Sequence, residues 1–246
     1  MRAHYTILLL LVFSTAVASP SAGQAQTARE TIAIVGTGNL GTTLGKRWAD
    51  AGHRIIYGSR TPDDANAAAL RREIGPDGAV VSQAEAVASA DLVLLAVPGN
   101  LVVQIVEGLG DLTGKVVIEP TNTLTFQDGY PVSATDPRVS AAERVQEAAP
   151  GARAVKAFNT LNYSVMEDPS IAGGPVTIPL AGDDAAAKER VAQLVRDVGL
   201  EPLDVGPIQA ARFLEEMLRL HIAYRFLNPG MAFDYYLRVH PHPEGY

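Results

Sequence analysis

Short apolar runs alternate with amphipathic segments along the first half of the chain. Runs made almost entirely of Val, Ile, Leu and Ala are typical of parallel strands that are buried on both faces. The segments between them have helical length, and Gly or Pro marks the short connections. The pattern predicts strands at Thr31–Val35, Arg54–Tyr57, Ala79–Val81, Leu92–Ala96 and Lys115–Ile118, and helices at Leu40–Ala51, Asp63–Glu73, Gln83–Ala88 and Asn100–Glu107.

The second half is less regular but continues the alternation. It predicts strands at Arg153–Lys156, Val176–Leu180 and Leu203–Val205, and helices at Asp184–Val198 and Gln209–Phe226. The last helix carries a stripe of residues at spacings of three and four, which packs either on the domain or on a second subunit and so allows a homodimer. We call it the inner stripe, and it consists of Leu214, Met217, Leu218, His221, Ile222 and Arg225.

The N-terminus has the order of features found in a secretory signal peptide. Arg2 precedes the apolar run Thr6–Ala18, and small residues suitable for cleavage stand at Ala16 and Ala18 and again near Ala25. The run of about 13 residues is shorter than the roughly 20 that span a bilayer. We therefore predict a Sec-type signal peptide at residues 1–25, no membrane span in the mature chain, and a periplasmic or secreted protein. The alternative is a mis-assigned start codon and a cytoplasmic protein.

Composition narrows the class of protein. Hydrophobic residues make up 47% and charged residues 19% of the 246 residues, which is typical of a folded globular protein. A net charge of −7 without a basic cluster argues against a nucleic-acid partner. The absence of cysteine excludes disulfides, thiolate metal sites and thiol catalysis.

A glycine-rich turn, Gly36-Thr37-Gly38-Asn39-Leu40-Gly41, joins the first predicted strand to the first predicted helix. In a dinucleotide site the first glycine permits a tight turn, the second lets the backbone approach a pyrophosphate, and the third lets the helix pack closely on the sheet. The helix N-terminus then offers free N–H groups to the phosphates. The pattern predicts an α/β fold with a Rossmann-type doubly wound parallel sheet and a small C-terminal α/β lobe. We assign residues 26–150 to the nucleotide-binding domain and 151–246 to a substrate or dimerisation lobe.

The end of the second strand indicates which dinucleotide binds. An NAD site normally has Asp or Glu there, whereas this chain has Ser59, Arg60 and Thr61. A hydroxyl and a guanidinium can bind a 2′-phosphate that a carboxylate would repel. The sequence therefore predicts NADP(H), while the alternative leaves Arg60 in solvent and makes Ser59 a helix cap. We expect Asp63 and Asp64 to begin the following helix.

Two further strand ends carry candidate ligand contacts. Val97 and Pro98 follow the fourth predicted strand, and Asn122 lies in the segment after the fifth. Ligands of open α/β sheets bind at the carboxyl ends of the strands. Turn chemistry alone could also explain these residues.

Four ordered motifs make the chain similar to a known family, the NADP oxidoreductases that depend on coenzyme F420. The same fold family includes the NADPH-binding cytoplasmic domain of the STEAP metalloreductases. The likeness extends over roughly residues 31–225. It rests on Thr37–Gly41, Gly58–Arg60, Ala154–Thr160 and Ala181–Asp184.

The resemblance implies a role for each matching position. Thr37, Gly38, Asn39 and Leu40 would line the pyrophosphate, and Ser59 and Arg60 would hold the 2′-phosphate. Val97 and Pro98 would flank the ribose, and the residues that would approach the nicotinamide are Asn122, Ala157 and Asn159. Where family members often carry another basic residue, this chain has Pro62-Asp63-Asp64.

The implied reaction is hydride transfer between NADPH and a deazaflavin or flavin-like acceptor, a small-molecule partner. Such a transfer depends on ring alignment more than on a protein acid or base, so we name no catalytic residue. Two alternatives remain open: an NADP-binding or sensor protein without turnover, and a reductase of a small imine or keto acid. The latter group usually adds a large helical domain.

The histidines predict no metal site. His53 is expected in a turn between a helix and a strand, and His4 lies in the predicted signal peptide. His240 and His242 lie in the Pro-rich tail, where a solvated role is expected. His221 lies on the inner stripe, where a packing role is expected.

Overall fold

The structure is a computed structural model, and it describes residues 29–230 and 235–240. The predicted signal peptide at residues 1–25 lies outside these residues. Within them, none of the helices combines the length and the hydropathy that crossing a bilayer requires.

An eight-stranded sheet runs through the described part of the chain in the order β10-β9-β8-β5-β4-β1-β2-β3. All neighbouring pairs are parallel except β8 and β9, which are antiparallel. The six strands β8-β5-β4-β1-β2-β3 are all parallel to one another, and they have the doubly wound order of a Rossmann fold, as predicted. The strands are β1 (Thr31–Val35), β2 (Arg54–Ser59), β3 (Ala79–Ser82), β4 (Leu92–Leu95), β5 (Val116–Glu119), β8 (Arg153–Lys156), β9 (Thr177–Gly182) and β10 (Glu201–Asp204).

Helices cover both faces of this sheet. The first face carries the core of β1, β2 and β4 side chains packed against α1, α2, α6 and α7, with Trp48 fully buried. The second face packs against α3, α4, α5 and the start of α8. The helices are α1 (Asn39–Asp50), α2 (Ala65–Glu73), α3 (Gln83–Ala88), α4 (Val102–Glu107), α5 (Ala141–Ala148), α6 (Tyr163–Glu167), α7 (Ala185–Asp197) and α8 (Ala211–Leu227).

Strands from both sides of position 150 form one sheet, because β8 pairs with β5 in parallel and β9 then continues from β8. The division into 26–150 and 151–246 stays a prediction. What the structure adds is that residues just beyond 150 supply the sixth parallel strand, next to the strand that ends at Glu119.

Three elements between positions 120 and 170 were not predicted. A hairpin joins β6 (Leu124–Gln127) to β7 (Tyr130–Ser133) through Asp128 and Gly129, both with positive φ, 49° and 78°. Asp-Gly is a strong signal for this type of turn. Helix α5 begins after a capping box of Ser140 and Glu143, which is also a readable signal. Helix α6 follows an Asn162 cap.

The first part of the inner stripe packs on the domain, whereas Arg225 at its end is exposed. Leu214 is buried in the core of the second sheet face and Met217 packs against that core. His221 meets the ring of Tyr235 edge-on, with the ring centroids 5.7 Å apart. Of the two positions predicted for this stripe, the structure therefore supports packing on the domain.

His53 lies in the turn between α1 and β2, as predicted. This side chain is buried, its Nδ1 accepts a hydrogen bond from the Glu30 backbone N–H at 3.2 Å, and its Nε2 lies 2.9 Å from Asp197 Oδ2. The partner carboxylate is 144 residues away in sequence, so no local pattern indicates it.

Candidate functional site

A cleft of about 610 Å³ lies at the carboxyl ends of β1, β2 and β4. This is the edge where open α/β sheets bind ligands. The predicted residues that line it are Gly36, Thr37, Gly38, Ser59, Arg60, Thr61, Val97 and Pro98. We call the glycine turn together with Ser59–Thr61 the phosphate end.

The glycine turn requires glycine at its first and last positions. Gly36 has a φ of +108°, and a Cβ there would lie 2.1 Å from the Ala96 carbonyl oxygen. A Cβ on Gly41 would lie 2.6 Å from the Gly36 carbonyl oxygen. Gly38 differs, because a Cβ there would meet nothing within 4 Å. The turn therefore leaves open space at the position where a pyrophosphate is expected to approach the backbone.

The N-terminus of α1 faces this space without a side-chain cap. The helix begins at Asn39, its N-cap is Gly38, no side chain bonds its first N–H groups, and its first turn has no acidic residue. Leu40 is half-buried against the core while Thr37 and Asn39 are exposed. Uncapped N–H groups and the positive end of the helix dipole form a suitable anion site.

The Ser59–Arg60 pair lies beside the turn, at the end of β2. Ser59 Oγ accepts a hydrogen bond from the Thr61 N–H at 3.0 Å, so the Ser59 hydroxyl hydrogen remains for another acceptor. Arg60 is exposed and has no ion-pair partner among residues 29–230 and 235–240. A guanidinium that no carboxylate neutralises can bind a phosphate bidentately.

The neighbouring Asp64 caps α2 and does not contact Arg60. Its Oδ1 accepts from the Ala67 N–H at 2.8 Å and its Oδ2 accepts from the Thr61 hydroxyl at 2.8 Å. These two bonds hold the pKa of Asp64 below its usual value. Helix α2 thus begins at Ala65, two residues later than predicted, and Asp64 rather than Ser59 is its cap.

Two loops beside the cleft form what we call the amide end, residues 119–123 and 156–160. The loop after Pro98 contacts the first of them, since a Cβ on Gly99 would lie 2.4 Å from the Asn122 carbonyl oxygen. The Asn159 amide donates to Asn122 Oδ1 at 3.1 Å, and the Asn122 amide donates to the Asn159 carbonyl oxygen at 3.2 Å. Ala157 is buried between the loops, with its N–H bonded to the Glu119 carbonyl oxygen. The structure therefore brings the three residues predicted at the nicotinamide together.

Phe158 has a strained backbone in the second loop. Its φ of +64° is unusual for a residue with a bulky side chain. The ring is buried and packs edge-on against Trp48, with centroids 5.8 Å apart. Such strain persists only where the surroundings hold it, and it is frequent at ligand sites.

A buried group of charges lies beneath the amide end. The fully buried Lys156 ammonium donates to Glu119 Oε2 at 2.7 Å, to the Thr121 carbonyl oxygen at 2.5 Å and to Glu215 Oε1 at 2.8 Å. Glu119 lies directly opposite Lys156 in the β5–β8 register. We call Lys156, Glu119 and Glu215 the charge cluster. Sequence reasoning missed it, although both strands visibly end in a charged residue at one edge.

Two buried polar atoms at the amide end, Thr121 Oγ1 and Asn159 Oδ1, have no hydrogen-bond partner among the residues that the structure describes. Buried polar atoms are nearly always paired in proteins. Partners from a bound nucleotide would satisfy them, so these residues fit a polar ligand group such as a carboxamide.

The family model described as "NADP oxidoreductase coenzyme F420-dependent" matches residues 31–123. The F420-dependent NADP reductase of Methanothermobacter thermautotrophicus is 31% identical over 225 residues, which cover 81% of this chain and 93% of that protein. Metalloreductase STEAP3 of Rattus norvegicus is 28% identical over 194 residues, 77% of this chain. The match spans only about a third of STEAP3, 36% of its length.

Solved structures similar to this chain include a member of the same family and a second NADPH-binding enzyme with the same fold. A crystal structure from Arthrobacter sp. FB24, described as a candidate F420-dependent NADP reductase, has 33% identity and a TM-score of 0.73 and covers 80% of this chain and 93% of its own. A reductive aminase from Aspergillus terreus in complex with NADPH has 20% identity and a TM-score of 0.60. The match covers 81% of this chain and 63% of the aminase, and it shows that the two proteins share the fold. The chain therefore belongs to the coenzyme F420-dependent NADP oxidoreductase family and is an NADP-dependent oxidoreductase.

Proposed function

We propose that this protein transfers a hydride between NADPH and a deazaflavin or flavin-like acceptor. The observation that carries the proposal is the match to an F420-dependent NADP reductase over 93% of that protein, which extends well beyond the glycine turn. The relatives supply the acceptor class, and the cleft supplies a nucleotide site of suitable chemistry.

Each part of the cleft has a task in this proposal. The uncapped N-terminus of α1 binds the pyrophosphate, and Ser59 and Arg60 bind the 2′-phosphate. Asn122 and Asn159 orient the nicotinamide carboxamide, since each holds the other's position by hydrogen bonds.

The amide end suits transfer between two rings. When bound, NADPH supplies a hydride to the acceptor ring, which also takes up one proton from water. All three hydrogens of the Lys156 ammonium are engaged by Glu119, the Thr121 carbonyl and Glu215, so this group is held as a fixed charge and not as a proton donor. Alignment of the two rings is then the main contribution of the protein.

Stopped-flow oxidation of NADPH tests the proposal. Coenzyme F420, FMN, a ferric chelate and a cyclic imine are each mixed with the NADPH complex, and an Arg60→Ala variant at the same occupancy serves as the matched control. Rapid oxidation by F420 or FMN, at a similar rate in both proteins once saturated, is the expected result. Oxidation by the imine alone would replace the proposed acceptor class, and NADPH binding without oxidation by any acceptor would favour a silent binder.

We also propose that the protein is exported. The order of Arg2, an apolar run and small residues at Ala16 and Ala18 supports this. N-terminal sequencing of the protein from cell fractions tests it. A chain beginning after Ala18 or Ala25 outside the cytoplasm is expected, and a full-length chain found only in the cytoplasm would contradict export.

A homodimer through the outer face of α8 is a further proposal. Phe213, Leu220 and Leu227 recur every seven residues on this face and are 72%, 67% and 63% exposed. Large apolar side chains that are exposed together on one face of a helix are common at protein interfaces. Light scattering should give a dimer for the native chain and a monomer for Leu220→Glu, and a native monomer would contradict the proposal.

A further inference from the structure

The charge cluster contains two carboxylates and a single ammonium group. We infer that its excess negative charge favours the oxidised, positively charged nicotinamide and so biases the bound pair towards NADP⁺. This inference rests on the proposed nucleotide site but not on the identity of the acceptor.

The hydrogen bonds assign the carboxylate form to both acids. Glu119 accepts from the Lys156 ammonium through Oε2 and from the Thr121 N–H through Oε1, the latter at 2.6 Å. Glu215 Oε1 accepts from Lys156 and from the Ala141 N–H, each at 2.8 Å, and its Oε2 lies 3.3 Å from the Thr123 hydroxyl. With every carboxylate oxygen facing a hydrogen donor, the cluster carries one net negative charge.

The cluster connects directly to the residues of the amide end. Lys156 immediately precedes Ala157, and both backbone groups of Thr121 bond to the cluster. Asn159 donates to the Leu214 carbonyl oxygen at 2.8 Å, one residue before Glu215. Loss of a hydride leaves the nicotinamide ring with one more positive charge than before. A buried negative charge close to that ring therefore stabilises NADP⁺ more than NADPH, because little water screens it.

The consequence is a shift in the equilibrium of hydride transfer. A site that binds NADP⁺ relatively better makes bound NADPH a stronger hydride donor, by the same factor as the ratio of the two affinities. Glu119, Glu215 and Lys156 are positioning residues in this account, since they act through the loops and through their charge.

The test measures dissociation constants of NADP⁺ and NADPH separately, by calorimetry, in the full chain and its variants. Glu215→Gln retains the shape and acceptor oxygen of the side chain but removes one charge. We expect the ratio Kd(NADP⁺)/Kd(NADPH) to rise by about tenfold, the effect that a unit charge roughly 12 Å away produces at an effective dielectric of about 20. Glu119→Gln neutralises the other acid and should move the ratio in the same direction.

Two controls separate charge from structure. Glu215→Asp keeps the charge but shortens the side chain, so it should weaken both nucleotides alike and leave the ratio unchanged. Asp197→Asn removes a carboxylate of similar burial, since Asp197 is 8% exposed and Glu215 is 11% exposed. The partner of Asp197 is His53, which precedes β2 and so lies at the opposite edge of the sheet from the amide end. It should also leave the ratio unchanged.

The outcomes are distinguishable. Glu→Gln variants that bind both nucleotides with the native ratio would overturn the inference, as would an equal shift in Asp197→Asn. A native protein that binds neither nucleotide would instead contradict the proposed function. If one of the two Glu→Gln variants fails to fold, the ratio of the two dissociation constants in the other variant decides whether the inference holds.

Discussion

Backbone geometry forms the glycine turn of the phosphate end, whereas side-chain charges and amides form the amide end beside the cleft. At the glycine turn the decisive contacts are those that an added Cβ would make; a Cβ on Gly36, for example, would lie 2.1 Å from the Ala96 carbonyl oxygen. At the amide end the decisive contacts are hydrogen bonds between side chains from distant elements, with Lys156 at their centre. The two ends therefore differ in which substitutions they tolerate. The glycine turn should respond to added volume, and the amide end to a change of charge.

Removing the central cation should have the largest effect. Lys156→Met keeps the length of the side chain but leaves Glu119 and Glu215 buried without a cation. We expect a loss of about 3–5 kcal/mol in the free energy of unfolding, because breaking a buried ion pair strands the remaining charge. Urea denaturation measures it. The control Arg138→Met removes the partner of Asp136 at the surface and should hardly change the free energy of unfolding. Equal losses in the two variants would mean that the amide end does not depend on its charges.

A pair of glycine substitutions tests the phosphate end. Gly36→Ala adds a Cβ against the Ala96 carbonyl oxygen at a positive φ, and we expect it to lower the free energy of unfolding by roughly 2–4 kcal/mol. Gly38→Ala adds the same methyl group where nothing lies within 4 Å, so it should fold with a loss under about 1 kcal/mol. Its NADPH affinity should nevertheless fall, because the methyl group occupies the expected phosphate position. Normal NADPH binding by Gly38→Ala would show that the pyrophosphate does not bind at this turn.

The same contrast explains how much of the molecule the sequence could predict. The turn from Gly36 to Gly41, the strands beside it and the Ser59–Arg60 pair are local patterns, since glycine and strand–helix spacing have the same meaning wherever they occur. The hairpin at Asp128-Gly129 and the helix after Ser140 also carried local signals that were not used. These elements were predictable in principle from the residues alone.

The charge cluster, in contrast, could not be predicted from local sequence patterns. Lys156 meets its partners across 35, 37 and 59 residues of sequence. Periodicity describes one element at a time, so it cannot pair a strand end with a helix that begins at Ala211. A partial signal exists, because β5 and β8 end in opposite charges. Only the parallel register that places Glu119 opposite Lys156 gives that signal its meaning.

Nucleotide selectivity should depend on one side chain of the phosphate end. Arg60→Ala removes an exposed guanidinium with no ion pair in the described part of the chain, so stability should hardly change. We expect the preference for NADPH over NADH to fall by about 10- to 100-fold, which corresponds to the roughly 1.5–3 kcal/mol of charge-assisted hydrogen bonds. Calorimetric titration with both nucleotides measures the preference. Arg72→Ala, which removes an exposed arginine from α2, is the matched control. Equal affinities for the two nucleotides in the native protein would refute the assignment of Ser59 and Arg60.

The smallest effect is expected at Asp64, which caps α2 close in sequence to the Ser59–Arg60 pair. Asp64→Asn preserves the cap of α2, since asparagine caps helices as well as aspartate does, and the free energy of unfolding should hardly change. Removing the charge should tighten NADPH binding by about two- to threefold at low salt, because an exposed carboxylate repels the 2′-phosphate only weakly through water. Hydrogen bonds from Ala67 and Thr61 lower the pKa of Asp64, so it stays ionised between pH 5 and pH 8. The gain should therefore be larger at pH 8 than at pH 5, because the 2′-phosphate takes its second negative charge at a pKa of about 6. Titrations with NADPH at low and high salt measure the gain, with NADH as the control ligand. A gain that appears equally with NADH would show that Asp64 acts on the cleft as a whole rather than on the 2′-phosphate position beside Ser59 and Arg60.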